Sequence, residues 1–397
     1  MVDDNKLVYN KKKVLVINTK YKNFGGEDSN IVEELKLLKT KYLVEYLEFD
    51  NNANLNFSTL FSFIFAINPS SNLRLKKIIE TFNPDVAYIH NTWYRANLGL
   101  FNILEKNNID IFLKLHNYRF DCSKNFLIKN HLQDNIFCKK CGLNKLNNKF
   151  INKYFQESYI KSIALIIYGK KYFKILKNKK ITLIVLNNFQ KKFLKKINIQ
   201  TPTTILSNPI INFEKNISFD KSNKNDVVYA GLISDSKGLR ELLDSWLLAE
   251  TKNLKLKIIG TGPIKEILED TYKSKNIEFL NVKSNKETLE IIQNSKAVIT
   301  ATKMFEVQPR LLSEASSLGV ASIFPNFGGM TEFFPNDYPL SFVQYDYKTL
   351  VDKIQMLHDN NFVEIQSENV YNFVKQNLSD KKFLREFDKI FFDNLPI

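Results

Sequence analysis

Glycine and proline are scarce in this chain, 12 and 10 among 397 residues, and that excludes collagen-like and low-complexity classes. Cysteine is scarcer still. Three residues, an odd number in a long chain, suit a reducing compartment better than a disulfide framework. Long apolar runs are missing too. The most apolar stretch, Phe57 to Ile67, has about 11 residues, too short to span a bilayer. The opening MVDDNKLVYNKKK has no apolar segment of the secretory kind. Together these absences predict a cytoplasmic protein.

Acidic residues are also short in one half. Residues 1–200 hold 34 Lys and Arg against 16 Asp and Glu, a net +18. Residues 201–397 hold 23 against 26, a net −3, and the two sum to the overall +15. Between 151 and 200 there are 12 basic residues and a single acid, Glu157. So basic a half suits a polyanionic partner: nucleic acid, an anionic membrane face or phosphorylated lipid. The plainer reading is a set of solvated helix faces. Tyr154, Phe155, Tyr159, Tyr168, Tyr172 and Phe173 interleave with the lysines there, a mixture that suits a membrane interface or stacked bases.

What is present is an alternation of short apolar runs and helical patterns. KVLVIN, starting at Lys13, predicts a strand; a loop containing Gly25 and Gly26 follows, and then a helical pattern. Further strands are predicted at Leu43–Phe49, Val86–His90, Ile111–His116 and Ile181–Leu186, with helices at Leu73–Phe82, Ala96–Asn107 and Ile151–Lys177. Asn212–Asn225 reads as a linker. The alternation then restarts, with strands at Val227–Ala230, Leu256–Ile259, Ile277–Leu280, Ala297–Ala301 and Ala321–Phe324. Helices are predicted at Lys237–Thr251, Pro263–Lys273, Asn285–Ser295, Arg310–Leu318 and Val363–Phe392. Two successive βα arrays predict an α/β protein with two Rossmann-like, doubly wound domains facing a central cleft. The boundaries expected are 1–205, 206–375, and a terminal helix from 376–397 crossing back to the first domain.

Ligands of such folds sit beyond the carboxyl ends of the strands, and four strand-end loops have suitable chemistry. YAGLISDSKGL sets Gly231 after a strand and Lys237 at a helix entry, where a lysine and free N–H groups suit a phosphate. IIGTGP sets Gly260 and Gly262 after the next strand, where a backbone can approach a base or phosphate closely. FEVQPRLLSEASSLG places Glu306 in a loop after a strand and Glu314 inside the following helix. A carboxylate can accept two hydroxyls of a vicinal diol such as ribose. His116 ends a strand in the first half, as does His90.

These stretches, taken in order, resemble a retaining glycosyltransferase of family 4, with the GT-B fold. The marks are FGGED, DVAYIHN, LHNYRFDC, LSNPI, YAGLISDSKG, IIGTGP and the E-x7-E stretch, and they run over nearly the whole chain. The resemblance implies transfer of a sugar from a nucleotide-diphosphate sugar, with retention, to a glycan or polyprenyl-diphosphate-linked acceptor. It implies a role in bacterial surface polysaccharide assembly, on the cytoplasmic side and peripheral to the membrane. Of the charged partners it favours an anionic membrane surface and sets nucleic acid aside.

By resemblance, His116, Lys237 and Glu306 are the catalytic residues. Lys237 binds the donor diphosphate, Glu306 contacts the sugar and Glu314 holds the ribose. Gly231, Gly260, Gly262, Val307, Gln308, Pro309 and Arg310 complete the donor site, and Gly25 and Gly26 line the diphosphate and acceptor side. The alternative for that glycine pair is a plain turn. No cofactor is required, because lysine and helix N-termini supply the positive charge.

Two positions depart from the family pattern. Leu232 stands where an Arg is usual, and Val307 where a Gly is usual. Arg310 is the candidate for the missing cation. The same departures leave room for a catalytically weakened GT-B protein acting as a glycan- or nucleotide-binding module. Finally, Cys122, Cys138 and Cys141 form C-x15-C-x2-C with His116 and His131 nearby. That pattern fits a structural zinc clip, though the fourth ligand is unassigned, and it equally fits free buried cysteines.

Overall fold

The structure is a computed structural model. It describes residues 11–20, 25–51, 62, 65–93, 95–118, 158–211, 213 and 217–393. The chain divides into two compact units. One comprises Met1–Pro209 with Asp380–Ile397, the other Ile210–Ser379.

In the first unit the strands are β1 (Lys13–Lys20), β2 (Leu43–Asp50), β3 (Val86–Ile89), β4 (Asp110–Lys114), β5 (Ile181–Val185) and β6 (Thr203–Ile205). They form one sheet in the order β2-β1-β3-β4-β5-β6, with every pairing parallel. A parallel sheet is covered on both faces, so its strands are runs of apolar residues rather than alternations. Val14 to Ile17 and Val86 to Ile89 are accordingly all at 0% exposure. The helices are α1 (Gly26–Lys41), α2 (Pro69–Phe82), α3 (Gly99–Lys106), α4 (Tyr159–Leu176) and α5 (Asn188–Lys196). Asn68 caps α2 by accepting from Ser71 N, with Pro69 in the first turn where its missing N–H costs nothing. Asn187 caps α5 in the same way.

The second unit repeats the scheme with β7 (Asp226–Ala230), β8 (Lys255–Ile259), β9 (Ile277–Phe279), β10 (Ala297–Ile299), β11 (Ala321–Asn326) and β12 (Ser341–Val343). Its order is β12-β11-β10-β7-β8-β9, again parallel throughout. The strand order reverses between β7 and β10, and the loops after these two strands flank the reversal. The helices are α6 (Leu239–Leu248), α7 (Lys265–Thr271), α8 (Asn285–Gln293), α9 (Arg310–Ser317), α10 (Tyr347–Met356) and α11 (Asn360–Asn377). Ile210 forms an isolated parallel bridge with Ser379, so the first and last residues of this unit lie together.

The helical pattern over Val363–Phe392 is two helices rather than one. After α11 the helical conformation stops at Leu378 (φ −124, ψ 11), whose carbonyl accepts from Ile210 N at 2.8 Å. A second helix, α12 (Asp380–Phe391), then belongs to the first unit. Its Phe383, Phe387 and Phe391 are buried. Phe391 stacks on Phe112 of β4 at 4.1 Å, and Tyr88 of β3 meets both Phe387 and Phe391 edge-on. Asp388 anchors the exposed side, accepting from Tyr42 Oη at 2.6 Å and pairing with Lys41. Four elements were not among the sequence expectations: α5, β6, β12 and α10. Each is short, and two are strands of three residues.

Candidate active site

The second unit gathers most of the sequence candidates around its strand-order reversal. Lys237 ends a short 3-10 turn, Asp235–Lys237, and does not lie in the following helix. Gly238 breaks the two apart with φ +67, and α6 starts at Leu239. Only glycine fits there. A Cβ on residue 238 would lie 1.9 Å from the Ala301 carbonyl oxygen, so the loop after β7 rests directly on the end of β10. Lys303 N donates to Ser236 O at 2.9 Å and ties the same two loops once more.

Across this junction the ammonium of Lys237 pairs with Glu306 Oε1 at 2.5 Å. Both side chains keep about a quarter of their surface exposed, 26% and 27%. Thr302 Oγ1 also reaches Glu306 Oε1, at 3.4 Å. Phe305, buried and tilted against Phe327 at 4.4 Å, anchors the loop just before Glu306. A second pair ties the loop after β10 to the first turn of α6, Lys303 Nζ to Glu241 Oε1 at 2.5 Å. The sequence reading did not single out Lys303. It lies in the loop that carries Glu306, and that position is the signal that could have found it.

Arg310 opens α9 and pairs with Glu314 one turn on. Its Nε and Nη2 both stand 2.8 Å from Glu314 Oε1. The carboxylate expected to hold a ribose therefore has an internal cation, and that arginine neighbours its own helix's glutamate. Val307 and Pro309 are buried and Gln308 is half-buried. Leu232 is 53% exposed, and its carbonyl accepts from Tyr229 Oη at 2.9 Å.

Gly260 and Gly262 have a steric role of their own in the loops. A Cβ at residue 260 would lie 2.0 Å from Gly231 O, and one at 262 would lie 2.1 Å from Ile233 O. The loops after β7 and β8 are in backbone contact, with Gly231 N donating to Ile259 O and Ile233 N to Thr261 O. The glycines are needed for that approach whether or not a ligand is bound.

In the first unit the order reverses between β1 and β3, and His90 follows β3 directly. His90 Nδ1 and His116 Nε2 are 2.8 Å apart, a hydrogen bond between two imidazoles. Beneath them lies an ion pair, Lys114 Nζ to Glu34 Oε1 at 2.5 Å, with side chains 0% and 1% exposed. Tyr88 Oη donates to the other oxygen, Glu34 Oε2, at 2.7 Å. His90 Nε2 stands 4.0 Å from that same oxygen. Burial, and then the neighbouring charge of Lys114, hold both imidazoles well below the usual histidine range, with His116 adding to the effect on His90. Burial also lowers Lys114, and Glu34 works against that shift.

The turn carrying His116 is fixed from β5 and α5. Leu115 N donates to Ile184 O, and the buried Gln190 donates from Nε2 to Leu115 O, each at 2.9 Å. A cavity of about 20 Å³, room for one water, is lined by His90, His116, Glu27, Asn117 and their neighbours. Gly25 and Gly26 are exposed at the start of α1, and Gly25 N donates to Asp28 Oδ2 at 3.2 Å. Glu27, next in the chain, accepts from Asn117 Nδ2 at 3.2 Å, which brings that turn beside the His116 loop. Cys122, Cys138, Cys141 and His131 lie outside the described residues.

Residues 211–373 match the family model described as glycosyl transferases group 1. An uncharacterized glycosyltransferase of Methanocaldococcus jannaschii is 26% identical over 258 residues, 62% of this chain. The match spans 64% of the length of that curated relative. Among solved structures, Anabaena HepE in complex with UDP and glucose is similar over 96% of this chain and 99% of its own, with 12% identity and a TM-score of 0.66. The lipopolysaccharide outer core galactosyltransferase WaaB, in its apo form, is similar over 96% of this chain and all of its own, with 14% identity and a TM-score of 0.63. The fold is GT-B. The match to the glycosyl transferases group 1 model lies within the second unit, and the enzyme class it supports is a transferase.

Proposed function

We propose that this protein is a retaining glycosyltransferase of family 4. It moves a sugar from a nucleoside diphosphate sugar to a glycan or lipid-linked acceptor in the assembly of a bacterial surface polysaccharide. The observation that carries the reading is the Lys237–Glu306 pair at the reversal of the second sheet. Doubly wound sheets bind ligands at that place. HepE was crystallised with UDP and glucose, and WaaB is named as a galactosyltransferase of the lipopolysaccharide outer core. Both support a nucleotide-sugar donor and a glycan acceptor.

In this reading an incoming diphosphate displaces Glu306 from Lys237. A partly exposed ion pair contributes at most about 1 kcal/mol to stability, so the exchange is inexpensive. Lys237 then neutralises the leaving diphosphate, and Glu306 turns to the sugar hydroxyls. Glu314, held by Arg310, takes the ribose diol. The acceptor attacks on the face the nucleotide leaves, and a leaving phosphate oxygen accepts its proton. Retention follows without a covalent intermediate.

The lysines exposed on and around α4 and α5, among them Lys170, Lys174, Lys180, Lys192, Lys195 and Lys196, support docking on an anionic membrane surface. Tyr159 and Ile160 are exposed on the same helix. Tyr168 and Tyr172 are buried against Trp93, so two of the four described aromatics in the pattern belong to the core. Among the described residues no helix is long and apolar enough to cross a membrane.

A thermal-shift screen with UDP-, GDP-, ADP- and dTDP-sugars tests the reading, followed by NMR of the product's anomeric centre. One donor should raise Tm and be turned over with its anomeric configuration kept. If no nucleotide sugar binds or is hydrolysed, the reading is lost. A second reading is favoured by Leu232, an exposed apolar side chain where the resemblance places an arginine. It is a glycan- or nucleotide-binding module, and it predicts donor binding with no release of nucleotide.

A further inference from the structure

We propose that His90 is a positioning residue that sets the tautomer of His116 and so keeps the buried His116 Nδ1 as a bare lone pair, an acceptor for a ligand hydroxyl. The ligand half of this rests on the transferase reading; the tautomer half stands on the first unit alone.

Two neutral imidazoles share two protons among four nitrogens. The 2.8 Å contact between His90 Nδ1 and His116 Nε2 requires one donor and one acceptor. That leaves two arrangements. In one, His90 carries its proton on Nε2, accepts at Nδ1 from His116 Nε2–H, and leaves His116 Nδ1 bare. In the other every proton is shifted by one nitrogen, and the lone pair of His90 Nε2 points toward Glu34 Oε2, 4.0 Å away. His90 is 4% exposed, and neither its Nε2 nor His116 Nδ1 has a protein partner. A lone pair facing a carboxylate in so dry a place is repelled, whereas an N–H there is attracted. The first arrangement is therefore the stable one.

The surrounding charges keep it in place. Glu34 on α1 is held by Lys114 of β4 through Oε1 and by Tyr88 of β3 through Oε2. Phe383 of α12 lies under the Lys114 ammonium, and Phe387 and Phe391 pack on Tyr88. Glu27 shares the cavity, and its Oε2 is engaged by Asn117. Lys114, buried beside the pair, opposes a positive charge on either ring. A neutral ring with a bare nitrogen takes a hydroxyl donor and repels a carboxylate or phosphate. It suits a neutral hydroxyl at this point rather than an acidic group.

The chain has 4 histidines, so protein labelled with ¹⁵N-histidine gives a spectrum simple enough to assign by single variants. In the unmodified protein at neutral pH, His116 should show a protonated Nε2 and a bare Nδ1. His90→Phe should collapse this to a tautomer mixture. His90→Gln, whose amide oxygen can still accept from Nε2–H, should keep it. A proton on His116 Nδ1 in the unmodified protein overturns the proposal, as does an unchanged His116 spectrum in His90→Phe. The unmodified protein alone decides the point if a variant fails to fold. In turnover assays His90→Phe and His116→Ala should each lower kcat/KM about 10-fold, the worth of one hydrogen bond, with no further loss in the double variant. If the unmodified protein turns over no donor, the transferase reading fails while the tautomer result is read independently.

Discussion

Lys237 and Glu306 are 69 residues apart in sequence and 2.5 Å apart in space. They meet because the loops after β7 and β10 become neighbours where the sheet reverses its order. A cation held by a single, partly exposed carboxylate is ready to change partner. Lys237→Ala should lower kcat/KM for the donor about 10²- to 10³-fold, the range for losing one charge-stabilising donor in a transition state. It should leave the melting temperature nearly unchanged, because the pair contributes little to stability. Steady-state kinetics beside a thermal melt check both halves. A large fall in Tm with turnover intact would mark the pair as structural.

Arg310 addresses Glu314 through two nitrogens. Its loss should free that carboxylate to rotate and weaken ground-state binding of the ribose. Arg310→Ala should raise the donor KM about 10-fold, with kcat much less affected. An equal loss in kcat, of the size found for Lys237→Ala, would show instead that the guanidinium meets the diphosphate directly and replaces the cation missing at Leu232.

The buried Lys114–Glu34 pair behaves in the opposite way to the exposed one. Lys114→Met strands a carboxylate at 1% exposure, which costs about 3–5 kcal/mol. The double variant Lys114→Met, Glu34→Gln should recover most of that loss, since a glutamine can still accept from Tyr88 Oη. Urea denaturation of the unmodified protein, Lys114→Met, Glu34→Gln and the double variant gives the coupling energy. A double variant no more stable than Lys114→Met would rule out an uncompensated charge as the cause.

Lys221 is wholly buried and donates to Gly319 O at 2.9 Å. Burial, with Lys224 adding and Glu364 opposing, pushes its ammonium down to about 7 from 10.5. Between those values the native lysine has released a proton that the unfolded chain still holds. The unfolded state binds more protons there, so this group's contribution to stability rises with pH across the window. Below pH 7 both states are charged and the full burial penalty applies. Unfolding free energies at pH 7 and pH 9 should show unmodified protein gaining on Lys221→Met by a kcal/mol or more. A pH-independent difference between the two would mean the native lysine stays charged throughout.

The sequence by itself determined the βα alternation and the fold class, because a strand buried on both faces must be a run of apolar residues and the helices between must be amphipathic. It also marked Lys237, Glu306, Glu314 and His116 as chemistry-bearing residues at strand ends. Tertiary structure alone decided who pairs with whom. Strand order, which sets β10 beside β7, is a long-range fact with no local signature, and the Lys237–Glu306 contact follows from it. Gly260 and Gly262 look in sequence like ligand-facing glycines, and only the structure shows that steric contact between neighbouring backbone loops already requires them. Nothing local in the sequence marks Lys114 and Glu34 as a buried pair; α12, 266 residues beyond Lys114 at its first residue, brings Phe383 under the Lys114 ammonium. A charge is buried or exposed according to what packs on it, and that depends on the whole chain rather than on its neighbours in sequence.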